Sequence, residues 1–275
     1  MYTLTNLICW QNGEYKPLGS VAISPLDFGF IHSEATYDVL RIKNGKIMFL
    51  DLHLNRYTNS CSYFHFTPIN EVETIANKLI SENNLKDAFL WLVSWRGIPP
   101  SGSPRDISAP QNNLIYVKPY YGISSDGLTL CIDRNHKRTP DVSHNQEFKN
   151  FSWIEFNLAQ RNSVSRGYDS ALLLTIDNYI SEGPGFGVCF VKDNKVITPA
   201  KDCLKSITIE VVESLCNKLN LKFERCDITE QEALNADEAF ICSTSGGITP
   251  ITKLDEKIYD NKVTLTLKKE YDDLV

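Results

Sequence analysis

The chain has 275 residues with a formal net charge of -6, 42% hydrophobic and 23% charged residues. That length predicts two domains, and the composition is that of an ordinary globular protein able to bury a core. The acidic balance excludes an extended nucleic-acid surface, because the longest basic cluster is HKR at 136–138 and phosphate binding needs clustered Lys and Arg. No stretch reaches the roughly 18 apolar residues of a membrane span, and the N-terminus lacks a basic leader with an apolar run, so a cytoplasmic protein is expected. Eight cysteines without a CxxC pair argue against both a disulfide framework and a metal site.

Strands are predicted at 7–11, 21–24 and 46–50, with Asn44-Gly45 closing a hairpin between VLRIK and KIMFL. LDLHLNRYTNSCSYF reads as a helix. INEVETIANKLISENN reads as another, with Asn70 and Glu73 at capping-box spacing and Val72, Ile75, Ala76, Leu79 and Ile80 on one stripe. AFLWLVSWRG and NLIYVKPYY follow as apolar strands around the loop PPSGSPRDISAP. TLCIDR is a strand, NFSWIEFNLAQRNSVSR a helix ended by Gly167, and SALLLTID and VCFVKDNKVITP are strands, the latter pair turning at Asp193-Asn194. SITIEVVESLCNKLN is an amphipathic helix, LKFERCDI a strand, Thr229 and Glu232 open a short helix, and EAFICSTS is a strand running into Gly246-Gly247. This order gives a mixed α+β fold without the alternation of a doubly wound sheet.

Four features carry chemistry. In QEFKNFSW, Lys149 lies between Phe148 and Phe151. Aromatic company denies an ammonium water and counter-ions, which suits a reactive amine, although a stem laid along rings with a wet head also fits. In SEGPGFG, Glu182 stands at the lip of a glycine-rich loop, where it can hold a positive group; a surface turn is the alternative. Ser206, Ile207 and Thr208 open a helix whose N-terminus suits an anion, as caps often do without one. CSTSGG, with Thr244, ends a strand in hydroxyls and glycines and offers further phosphate donors. An imine-forming lysine, an acid for a pyridinium nitrogen and two anion-binding termini are together the parts that hold pyridoxal 5'-phosphate.

The order of Lys149, SEGPGFGVCFVKDNKVITP, LKSIT and AFICSTSGGITPITKLD, with PLDFGFIHSEATYDVLRIKNG and LDLHLNRYTNSC before them, resembles the class IV, or fold type IV, pyridoxal-phosphate aminotransferases. That family includes branched-chain and D-amino acid transaminases, (R)-selective amine transaminases and aminodeoxychorismate lyase. The resemblance implies a small N-terminal α+β domain over 1–117, a linker over 118–127 and a larger cofactor-binding domain over 128–275 with a β-barrel-like core. It further implies a cleft between the domains and a homodimer. On this resemblance Lys149 carries the cofactor and shuttles a proton, Glu182 pairs with the pyridinium nitrogen, Arg56 holds the phosphate with Ile207, Thr208 and Thr244, and Leu204 packs on the ring.

The sequence departs from the family pattern at Gly187, where Asn is usual, at Ile209 for Arg, at Ser206 for Gly and at Trp153 for Tyr. His32, Tyr37 and Val39 resemble the (R)-selective amine group, and Arg105 in SPRDI resembles the carboxylate-trapping arginine of D-amino acid transaminases. The reading is a transaminase moving the amino group of an (R)-amine or D-amino acid to a keto acid such as pyruvate by a ping-pong route. Branched-chain L-amino acid transamination, favoured by Arg41, is the alternative, and aminodeoxychorismate lyase the outside one.

Overall fold

The computed structural model describes residues 4–122 and 126–275, which form two compact units. The first runs to Tyr121 and also takes in Phe148–Ser152; the second comprises Gly122–Glu147 and Trp153–Val275. Part of the expected linker, residues 123–125, lies outside the described residues. The expected first boundary at 117 falls inside a strand, and the 148–152 segment returns to the first unit. Sequence order alone could not register that return.

The first unit is built on β1 (Ile8–Gln11), β2 (Glu14–Pro17), α1 (Phe28–Ile31), β3 (Ala35–Lys43), β4 (Lys46–Ile47), α2 (Leu50–Tyr63), α3 (Val72–Glu82), β5 (Ala88–Arg96) and β6 (Gln111–Pro119). Its six strands pair in the order β2-β1-β6-β5-β3-β4, each pair antiparallel. Leu40, Ile42, Leu90, Leu92 and Ile115 meet Tyr57 and Cys61 of α2 and Ile75, Ala76 and Leu79 of α3 in one core, the stripe on α3 being the expected one. The β3–β4 hairpin turns at Asn44-Gly45, φ 51° and 77°, as the Asn-Gly pair predicts.

Three expectations here fail. Val21–Ser24 is not a strand: a 3-10 turn at Leu18–Ser20 precedes it, Pro25 follows, and Ile23 is exposed. The strand expected to reach Leu50 stops at Ile47, because Phe49 adopts φ 50° and turns the chain into α2. Asn70 does not cap α3; Ile69 is drawn into the core and the chain enters the helix through Glu71 at φ 53°, without a side-chain cap.

The second unit contains β7 (Leu128–Lys137), α4 (Ile154–Ser165), β8 (Ser170–Leu174), β9 (Gly187–Lys192), β10 (Lys195–Pro199), α5 (Ile207–Lys218), β11 (Lys222–Cys226), α6 (Glu230–Leu234), β12 (Glu238–Ser243), β13 (Gly247–Leu254), β14 (Lys257–Ile258) and α7 (Lys262–Asp272). Its eight-stranded sheet runs β11-β10-β9-β12-β13-β7-β8, with β14 on β13, and curls as a half-barrel. Leu130, Ile132, Leu172, Val188, Phe190, Ile241 and Ile251 are almost wholly buried on it. Gly167, at φ 85°, ends α4 as expected, but the helix starts only at Ile154, so Lys149 and Trp153 do not share a helical turn. The eight thiols are free. Among the described residues no helix is long and apolar enough to cross a membrane, and no cluster of His, Cys, Asp and Glu could hold a metal ion.

Candidate active site

In the first unit, β3 anchors the lysine segment. Thr36 Oγ1 donates to the Lys149 carbonyl at 2.7 Å, and Thr36 bridges Asn150 as an isolated antiparallel pair. The flanking phenylalanines stack outward onto tyrosines, Phe148 on Tyr63 at 4.6 Å and Phe151 on Tyr37 at 4.9 Å between ring centroids. These contacts fix the backbone on both sides of position 149. The Lys149 Nζ then lies 4.7 Å from the Tyr37 ring centroid. Tyr37 is itself stacked on Trp91 at 5.3 Å, and Trp91 on Tyr116 at 5.7 Å, which makes an apolar wall beside the amine.

Because side chains alternate along a strand, Tyr37 and Val39 share one face of β3 and Asp38 the other. Asp38, fully buried, faces α2. Arg56 donates to it through Nε and Nη2, each at 2.8 Å, and His53 Nδ1 stands 2.8 Å from its Oδ1. Burial alone would raise the Asp38 carboxyl, but the Arg56 charge and the His53 contact outweigh it and hold the group far below the usual carboxylate range. His53 is pushed down, chiefly by burial, against the pull of Asp38. Arg56 is thus buried and aligned by an acid that the sequence reading missed, for want of any local signal. His32, at the C-terminal end of α1 against Phe28, and Arg105, in the loop between β5 and β6, are both exposed. Arg41, raised by the branched-chain alternative, is committed to Asp87 at 2.9 Å and to the face of Tyr120.

In the second unit, Glu182 is 4% exposed. Its Oε1 accepts from Arg138 Nε at 2.9 Å and its Oε2 from the Leu204 amide at 3.1 Å, so the structure brings Glu182 and Leu204 together directly. Such donors on both oxygens give the ionised form charge-assisted bonds. Arg138 also bonds Glu155 on α4, and its guanidinium lies over the Phe156 ring at 4.4 Å. The glycine loop after Glu182 is a tight turn, Gly183 and Phe186 exchanging backbone hydrogen bonds. A side chain at Gly183 would strike the Phe186 ring and the Ala171 carbonyl. The acid end of the loop, Ser181, Glu182 and Gly183, is buried, while the tip at Gly185 is exposed.

Ser206 caps α5, its hydroxyl accepting from the Ile209 amide at 3.3 Å, while Ile207 and Thr208 occupy the first helical positions, where backbone N–H groups have no intrahelical acceptor. Thr244 stands in the turn after β12. Tyr271 of α7 hydrogen-bonds Thr208 and packs on Gly247, tying the α5 terminus to that turn. Neither Tyr271 nor α7 was anticipated, although the buried Thr264, Leu267 and Tyr271 have the i, i+3, i+7 spacing that signals a helix face. The departures at 187 and 209 meet: a Cβ on Gly187 would lie 2.6 Å from Ile209 Cδ1.

Known proteins resemble this chain in sequence and in fold. The family model of amino-transferase class IV matches residues 35–254. A Methanocaldococcus jannaschii protein provisionally named a branched-chain-amino-acid aminotransferase is 27% identical over 275 residues, covering 96% of this chain and 95% of that one. Among solved structures, the branched-chain aminotransferase of Thermoproteus uzoniensis with norvaline has a TM-score of 0.90 at 21% identity, covering 97% of this chain and 93% of that chain. The T.th. branched-chain amino acid aminotransferase with pyridoxamine 5'-phosphate has a TM-score of 0.91 at 21% identity, covering 98% and 94%. The folds are the same throughout, type IV with a half-barrel sheet. With its match spanning most of the sequence, the chain belongs to the class IV aminotransferases, enzymes that work with pyridoxal 5'-phosphate.

Proposed function

We propose that the protein transfers the amino group of a branched-chain L-amino acid to a keto acid by a ping-pong route, with Lys149 as the residue that carries the cofactor. The observation that carries the chemical reading is Lys149, its backbone held by Thr36 and by the stacked rings of both neighbours and its Nζ set 4.7 Å from the Tyr37 ring centroid. The substrate class rests on the full-length relatives, which bear branched-chain names, and the apolar wall of Tyr37, Trp91 and Tyr116 suits an aliphatic side chain. The (R)-amine or D-amino acid reading rests on His32, Tyr37, Val39 and Arg105 in the sequence; of these, the exposure of His32 and Arg105 lends it no support.

The residues present fit the cofactor in the chemistry of their donors. A primary amine, a buried guanidinium aligned by Asp38, an open helix N-terminus and a buried carboxylate answer to an aldehyde, a phosphate and a pyridine nitrogen. When bound, the cofactor supplies an electron sink that stabilises the carbanion left by loss of the substrate α-proton. Lys149, as the neutral amine, would act as the base that takes up that proton at Nζ and holds it for return. Glu182 would hold a proton at the ring nitrogen, and its bonds to Arg138 and the Leu204 amide keep the carboxylate oriented. Arg56, Ile207, Thr208 and Thr244 would hold the phosphate, and Leu204 would pack on the ring. A homodimer is part of this reading, and its mass in solution is directly measurable.

Borohydride reduction followed by peptide mass mapping is expected to find the adduct at Lys149, and K149A to lose at least about 10³-fold in turnover, the loss of a proton-transfer and covalent residue together. L-leucine with 2-oxoglutarate is expected to outpace D-alanine or an (R)-arylalkylamine with pyruvate. The reverse ranking restores the (R)-amine or D-amino acid reading; turnover without any keto acid would favour a lyase.

A further inference from the structure

Glu155 lies in the first turn of α4 and is 8% exposed; its Oε1 accepts from Arg138 Nη1 and, at 3.0 Å, from Thr139 Oγ1. Arg138, 5% exposed, uses its Nε for Glu182 and rests on the Phe156 ring. Two buried carboxylates therefore share one guanidinium, and the three groups together carry one negative charge in excess. Were Arg138 paired with Glu182 alone, the pair would be neutral and its field on a neighbouring group weak. In a poorly solvated setting, an excess charge of this kind acts strongly on whatever Glu182 faces.

We propose that Glu155 is a positioning residue that raises the proton affinity of the cofactor's ring nitrogen through Arg138, by taking a share of the guanidinium's charge that Glu182 would otherwise have to itself. The inference rests on the proposed pairing of Glu182 with that nitrogen. Glu155 is linked to Glu182 through Arg138, so its effect is one of charge and alignment.

The other groups around the cluster do not supply the same control. The Cys203 thiol beside Glu182 is driven up by burial and stays neutral. His144 is driven down, first by burial and then by Arg138, and is also neutral near pH 7. Asp141 and Asp202 are engaged with each other's backbone amides, and Arg225 is paired with Glu213 at 3.0 Å. None of these is replaced in the variants; His144, lowered by Arg138 and raised by Glu155, is the one neutral group that responds to both.

The test loads wild type, E155Q, R138Q and R138Q/E155Q with pyridoxal 5'-phosphate labelled with ¹⁵N in the ring, and follows the nitrogen resonance against pH. The formal cluster charge is -1, 0, -2 and -1 in that order, from two carboxylates and one guanidinium in wild type. The titration midpoint is expected to be highest in R138Q, to fall by about one pH unit or more in E155Q, a tenfold loss of proton affinity, and to return toward wild type in the double variant. E155D keeps the wild-type value. If E155Q does not fold, the step from R138Q to the double variant reads the same charge, and it too must lower the midpoint. An unchanged midpoint on losing Glu155, or a double variant as low as E155Q, overturns the proposal. Absence of a borohydride adduct at Lys149 in wild type would instead refute the function itself, and a nitrogen indifferent to E182Q would refute the pairing on which the inference stands.

Discussion

At the scale of single residues, the chemistry-bearing side chains and their supports differ in how far the sequence exposes them. Lys149 and Glu182 announce themselves through immediate neighbours, aromatic rings in one case and glycines in the other. Asp38, Arg138 and Glu155 do not, since each finds its partner at a distance in sequence: 18 residues for Arg56 and Asp38, 44 for Arg138 and Glu182, 17 for Arg138 and Glu155. The meeting of Gly187 and Ile209 is of the same kind, and it makes a prediction. Gly187→Ala places a methyl 2.6 Å from Ile209 Cδ1, the movable end of that side chain. The expected cost is about 1–2 kcal/mol of overpacking, relieved when Ile209 is also changed to Val, as read from chemical denaturation of both variants and the pair.

At the scale of elements, local signals succeeded where the chain's own neighbours supply the partner. Thr229 and Glu232 form a complete capping box on α6: the Glu232 amide donates to Thr229 Oγ1 at 3.1 Å, and the Glu232 carboxylate accepts from the Thr229 amide at 2.8 Å. The same spacing at Asn70 and Glu73 failed, because tertiary burial of Ile69 reset the entry to α3. T229A is therefore expected to destabilise the protein by about 1 kcal/mol, and N70A to leave the denaturation midpoint nearly unmoved. The start of α4 illustrates a second limit. NFSW reads as helix from its composition, but Asn150 pairs with Thr36 and Phe151 stacks on Tyr37, so the helix waits until Ile154.

For the whole molecule, hydropathy and turn chemistry made the order of most strands and helices legible, and the α+β class with it. The return of Phe148–Ser152 to the first unit depends on contacts that no local pattern encodes. Stability as a whole should depend on pH through the buried network beneath β3. His53 is driven down, chiefly by burial, so the unfolded chain takes up a proton near the ordinary histidine value, about 6.5, while the folded chain resists it. Stability is therefore lost as pH falls below that value. Asp38, held low by Arg56 and His53 against burial, adds a second loss once pH falls below the ordinary carboxylate value of about 3.9. H53Q is expected to flatten the limb between pH 7 and 5, leaving the part due to His144, which is lowered for the same reason. Thermal melts across that range check the slope.

The stack of Tyr37 on Trp91 has an optical consequence. Its indole is one ring removed from the Lys149 amine. A chromophore absorbing in the near ultraviolet and tethered at that amine would drain the excited state of this tryptophan by energy transfer. Emission lost on loading and regained on release, and muted in W91F, would turn the aromatic wall into an internal gauge of occupancy.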